Sequence, residues 1–106
     1  MAEQFHLITC IVERSYADKV VDAAIRAGAQ AATMFYARGR GVREKLGILG
    51  KLIQAEKEVI WVVTKDDDRK KIFDAVVETA DLKKPGKGFA FIQPVEETVG
   101  FLPPPV

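Results

Sequence analysis

Apolar residues along this chain fall into short dense runs, separated by stretches in which they recur every three or four positions. Residues 5–13 (FHLITCIVE) form the first run and read as a buried strand. Ser15 then stands where a helix cap is expected, with Asp18 in the first turn. Ala17, Val20, Val21, Ala24 and Ile25 make one apolar helical face, and Gly28 follows as a left-handed C-cap. Residues 31–38 (AATMFYAR) predict a second strand and residues 57–64 (KEVIWVVT) a third. Asp66, Asp67 and Asp68 supply a cap and acidic first-turn residues for a second helix, whose apolar face is Ile72, Phe73, Val76, Val77 and Ala80. A turn-rich loop over 81–88 (DLKKPGKG) leads to a fourth strand at 89–95 (FAFIQPV), expected to be cut short by Pro94. The tail, residues 96–106, is expected to be extended, with Pro103 to Pro105 favouring polyproline II.

The order β-α-β-β-α-β is the split βαβ arrangement of ferredoxin-like domains. Each crossover contains a helix, so two parallel pairings with right-handed crossovers are expected. Val59, Trp61 and Val63 alternate with Ile60 and Val62, so both faces of the third strand are apolar. Two helices cover only one face of such a sheet. The other needs a second cover, which predicts an oligomer.

Length and composition narrow the class. The 106 residues suit one domain, here taken as 1–106, and 48% apolar with 29% charged residues is a globular balance. A net charge of +1 lacks the basic excess of a nucleic-acid-binding domain. No apolar run reaches the ~20 residues of a membrane span, and MAEQ does not resemble a signal peptide, so a cytoplasmic protein is expected. The single cysteine, Cys10, lies in the first apolar run and is expected to behave as a core hydrophobe.

No catalytic arrangement is visible. His6 has no partners at metal-ligand spacing, and the only serine, Ser15, reads as a cap. Two glycine loops carry more chemistry: Arg38-Gly39-Arg40-Gly41-Val42-Arg43 after the second strand, and Lys83-Lys84-Pro85-Gly86-Lys87-Gly88 before the fourth. Glycine lets backbone N–H groups approach a ligand closely, and the basic side chains favour an anion. The pair makes a phosphate site only if folding or oligomer contact brings the loops together. Between them lies an apolar stretch, Leu46-Gly47-Ile48-Leu49-Gly50-Lys51-Leu52-Ile53, too long for a plain connection. It reads either as a partner-binding loop or as a short helix folded back on the domain.

These features together resemble the PII nitrogen-regulatory family. The resemblance rests on Val20 to Gly28, the Gly39-Arg40-Gly41 turn, KEVIWVVTKDD (57–67) and Gly86-Lys87-Gly88-Phe89-Ala90-Phe91. It implies an α+β, ferredoxin-like subunit with a four-stranded antiparallel sheet and two helices on one face, assembled as a homotrimer. It further implies a regulator that holds an adenine nucleotide (ADP, AMP or ATP) between subunits, with no catalytic cofactor and no metal. The implied nucleotide-binding residues are Gly28, Thr33, Gly39, Arg40, Gly41, Arg43, Lys45, Val62, Val63, Gly86, Lys87 and Gly88. Residues 39–56 take the place of the flexible T-loop, with Leu46, Ile48, Leu49, Leu52 and Ile53 facing a partner, a membrane transporter or a cytoplasmic target.

The chain departs from the family pattern in places. Lys87 stands where aspartate is usual and Phe89 where the phosphate-binding lysine is usual, so Lys87 is expected to compensate. Val95 to Val99 lacks two arginines typical of the final strand, and the T-loop is shorter and without its modified tyrosine. Two other readings share the fold: a trimeric interaction module independent of nucleotide, and a CutA-like protein linked to divalent metals.

Overall fold

The computed structural model describes residues 4–38 and 56–101. Four strands, β1 (Phe5–Glu13), β2 (Thr33–Arg38), β3 (Glu56–Lys65) and β4 (Gly88–Val95), form one sheet in the order β2-β3-β1-β4. Two helices, α1 (Ala17–Arg26) and α2 (Arg69–Thr79), connect β1 to β2 and β3 to β4.

Every hydrogen-bonded pair in the sheet is antiparallel: β1 with β3, β1 with β4, and β2 with β3. The two parallel pairings expected from the crossovers are therefore absent. β1 and β2 do run in the same direction, but β3 lies between them; β3 and β4 are parallel with β1 between. Each crossover skips one position, and an antiparallel neighbour fills the gap.

The register separates two faces. His6, Ile8, Cys10 and Val12 of β1 stand beside Thr64, Val62, Ile60 and Glu58 of β3 and beneath the helices. Val20 and Ala24 of α1, and Ile72 and Val76 of α2, close over them, and all four are buried. Ile25, expected on the apolar face of α1, is instead 48% exposed, and Ala23 is buried in that layer. Ala23 thus takes a place in the buried layer of α1 that the helical period had given to Ile25. Cys10 belongs to the same core, and burial pushes its thiol from 9.0 up to about 12. It is a packing residue rather than a reactive one.

Neither helix is capped as the sequence suggests. A short 3-10 turn precedes each one, Arg14–Tyr16 before α1 and Asp66–Asp68 before α2. Tyr16 and Asp68 occupy the N-cap positions and neither makes a side-chain cap hydrogen bond. Ser15 thus lies within the first turn instead of capping α1. Asp66 reaches sideways, with Oδ1 3.2 Å from Arg69 Nε and 3.5 Å from His6 Nδ1.

The helix C-termini match one another. Gly28 N–H donates to Ile25 and Ala29 N–H to Ala24, while Asp81 N–H donates to Glu78 and Leu82 N–H to Val77. Both are Schellman closures around a left-handed residue, Gly28 at φ 122° and Asp81 at φ 58°. The weak likeness of the two halves is thus a shared backbone course: strand, 3-10 turn, helix, left-handed cap.

β4 is not cut short by Pro94, which pairs in register with His6 before the strand ends at Val95. β4 is an edge strand, where a missing N–H on the outer side costs no ladder bond. Beyond it, Phe101 packs edge-on against Phe5 at 5.0 Å. The polyproline reading of Pro103–Pro105 falls outside the described residues, as does residues 39–55 of the expected T-loop; Glu56 belongs to β3.

Candidate functional site

One end of the sheet gathers the groups of interest. β1 and β2 finish there, at Glu13 and Arg38, and β3 and β4 begin there, at Glu56 and Gly88. The stretch 39–55 departs from β2 and returns into β3 at this end, and the 81–87 loop delivers β4 to it.

Glycine is required where β4 begins. Gly88 has φ 144°, and a Cβ there would lie 2.4 Å from the Ile11 carbonyl oxygen. Gly86, at φ 80°, faces open space. These two positions turn the backbone on either side of Lys87, whose ammonium lies 3.4 Å from the Tyr16 hydroxyl and 5.5 Å from the centre of the Tyr16 ring. The tyrosine contact is the main cause raising Lys87 above the ordinary lysine value; Glu13 and Asp81 add smaller attractions. Lys19 Nζ also lies 5.9 Å from the Tyr16 ring centre, so the phenol has two ammonium groups about it.

Across β1 a second cluster forms. Arg14 pairs with Glu56, the first residue of β3, and its guanidinium stands 4.9 Å from the Tyr36 ring centre. Glu56 is the leading cause raising the Arg14 pKa, followed by Tyr36. Arg14, Tyr16, Lys19, Tyr36 and Glu56 were not among the sequence candidates. Lys87 and Tyr16 are 71 positions apart, and no local motif marks the pair.

The sequence candidates do not all converge in one subunit. Gly86, Lys87 and Gly88 lie at this end on the β4 edge. Arg38, which opens the other glycine loop, ends β2 on the opposite edge, three strand spacings away or roughly 14 Å. Gly28 is at the far end of the sheet, near Asp68 and Lys71. Thr33 is exposed at the start of β2. Val62 is buried beneath the helices, whereas Val63 faces the open side half-buried. Gly39, Arg40, Gly41, Arg43 and Lys45, with Leu46, Ile48, Leu49, Leu52 and Ile53, lie outside the described residues.

On the face away from the helices, several large apolar side chains among the described residues are exposed. Trp61 is 45% exposed and Phe89 52%, with Phe35 and Phe91 beside them. Phe35 meets Trp61 edge-on at 5.0 Å, and Phe89 and Phe91 lie 5.5 Å apart. Phe89 therefore belongs to this apolar sheet face.

Among the described residues no three His, Cys, Asp or Glu side chains cluster as metal ligands. His6 is buried, and its Nδ1 has no hydrogen-bond partner among the described residues. No described helix is long and apolar enough to cross a membrane.

Comparison with known families agrees with the topology: residues 5–101 match nitrogen regulatory protein P-II. The chain belongs to the P-II family. P-II proteins are regulatory signalling proteins and not enzymes, so this is a regulator. No curated protein matches it. Among solved structures it is similar to Arabidopsis thaliana PII bound to citrate, with 23% identity and a TM-score of 0.67, over 87% of this chain and 78% of that one. The likeness shows that this P-II chain has the ferredoxin-type subunit fold.

Proposed function

We propose that this P-II protein is a trimeric sensor that takes an adenine nucleotide between subunits and signals through residues 39–56 to a partner, a membrane transporter. The observation that carries the reading is the placement of the two glycine loops. The residues at which they join the sheet, Arg38 and Gly88, stand on opposite edges at one end of it. Packing the open aromatic faces of several copies against one another would set the β2 edge of one subunit beside the β4 edge of the next. Lys87 would then supply a cation to the phosphates, with the backbone around Gly86 and Gly88 open to approach. The Arabidopsis neighbour was solved with citrate, which is also a polyanion. A cytoplasmic location follows from such a role, with membrane association only through the partner.

A ligand can shift the 39–56 segment only through contacts that differ between its states. Isothermal titration with ATP, ADP and AMP, alongside light scattering for the oligomer, tests the reading. A trimer that binds at least one of them is expected. Absence of binding at millimolar concentration would remove the nucleotide from the proposal. The exposed Phe89 in place of a basic residue favours a second reading, a trimeric module that binds its partner without nucleotide. In that case substituting Gly41 and Lys87 would leave partner binding unchanged.

A further inference from the structure

The 3-10 turn Arg14–Tyr16 follows the strand that lies between β3 and β4. It therefore sits between the stem of the 39–55 stretch on one side and the 81–87 loop on the other. A 3-10 turn advances about 120° per residue, so side chains two positions apart point about 120° away from each other around its axis. Arg14 and Tyr16 use this divergence: Arg14 reaches Tyr36 and Glu56, and Tyr16 reaches Lys87. The turn is closed by the Ala17 N–H donating to the Arg14 carbonyl, and no cap side chain pins it.

We propose that this turn is a positioning element that couples the two loops within one subunit, so that drawing Lys87 away from Tyr16 loosens the hold of Arg14 on the stem residues Tyr36 and Glu56. Both sets of contacts share the cost of ordering one short turn. Losing one set leaves the other to bear that cost alone, which is positive coupling without a large displacement. The Lys87 contact is also the kind an anion displaces. The phenol offers the ammonium a dipole and a ring face, whereas a phosphate offers it a full opposite charge at short range. By reciprocity, a stem held firmly by Arg14 favours the Lys87–Tyr16 contact. The inference rests on the nucleotide reading only for what draws Lys87 away.

Hydrogen exchange of the full-length protein tests it without any ligand. Lys87→Gln is expected to speed exchange across residues 36–38 and 56–58 by about threefold, the scale of coupling between residues of one network. Lys83→Gln, the same charge change in the same loop, is expected to leave those amides as they were. Tyr16→Phe, which keeps the ring and loses the hydroxyl, should give a smaller acceleration in the same residues. No change on Lys87→Gln, or an equal change on Lys83→Gln, would overturn the proposal. Inorganic tripolyphosphate added to the unmodified protein should reproduce the Lys87→Gln pattern and add nothing to that variant. Should tripolyphosphate have no effect while Lys87→Gln does, the turn still couples the loops and the anion reading fails on its own.

Discussion

Ile60 and Trp61 are neighbours in one strand and lead opposite lives. Ile60 points beneath the helices and is fully buried, while Trp61 points to the bare side of the sheet and is nearly half exposed. The same contrast runs along β1, where Ile8, Cys10 and Val12 are buried and Leu7 and Ile11 are only half-buried. Both faces are apolar, yet among the described residues only one is covered by helices. The covered face holds the subunit together; the bare face stores unspent apolar surface for contact with something else.

Substitutions at the two neighbours separate these roles. Ile60→Ala should cost about 3 kcal/mol in urea unfolding at any protein concentration, because it removes packed methyl groups from an interior site. An unchanged midpoint would mean that the helices do not close over β3. Trp61→Ala should cost about 1 kcal/mol in dilute solution, where it forfeits little beyond the edge-on contact with Phe35. At high concentration it should reduce the assembled fraction measured by sedimentation, while the parent stays assembled. Equal behaviour at both concentrations would show that the bare face is not an interface.

Cys10 sharpens the contrast through pH. Its folded thiol is raised from 9.0 to about 12, so the folded chain holds the proton more tightly than the unfolded one. That contribution to stability is complete below about pH 9 and fades as pH climbs toward 12. Cys10→Ala should flatten this part of the alkaline stability profile relative to the parent. A thiol reagent at pH 8 should react only as fast as the protein opens; prompt labelling would place Cys10 outside the core.

The smallest effect concerns the helix layer. Asp81 holds a left-handed conformation that costs a non-glycine residue about 1 kcal/mol, and its counterpart Gly28 does not pay it. Asp81→Gly should stabilise by less than that amount, because it also gives up the ion pair with Lys84 at 3.1 Å. A lower melting temperature would show that the pair outweighs the backbone strain.

The fold was largely legible in the pattern of side chains. β1 has the predicted bounds, and β3 and β4 exceed theirs by a residue or so, because dense apolar runs between breakers leave little choice. What misled were residues with two uses. Ser15 and Asp66 look like caps, but each lies in a 3-10 turn that the sequence does not announce. Pro94 reads as a terminator until the strand is known to lie at an edge. Ile25 fits the helical period, but it is Ala23 that turns inward and Ile25 that lies at the edge of the buried face. The glycines of the candidate site stood out as basic, glycine-bearing loops beside strands, and at Gly88 the backbone does require glycine. Tyr16 and Arg14 did not, since their partners are brought near by strand order and not by neighbouring sequence.

The proline in the last strand has a further consequence. A strand at the margin of a sheet invites stray chains to continue the ladder, as in fibre growth. Along β4, position 94 offers no donor, so an intruding strand would meet a gap in the row it needs. The margin of the sheet beside the exposed aromatic rings of Phe89 and Phe91 is thereby a poor template for edgewise polymerisation.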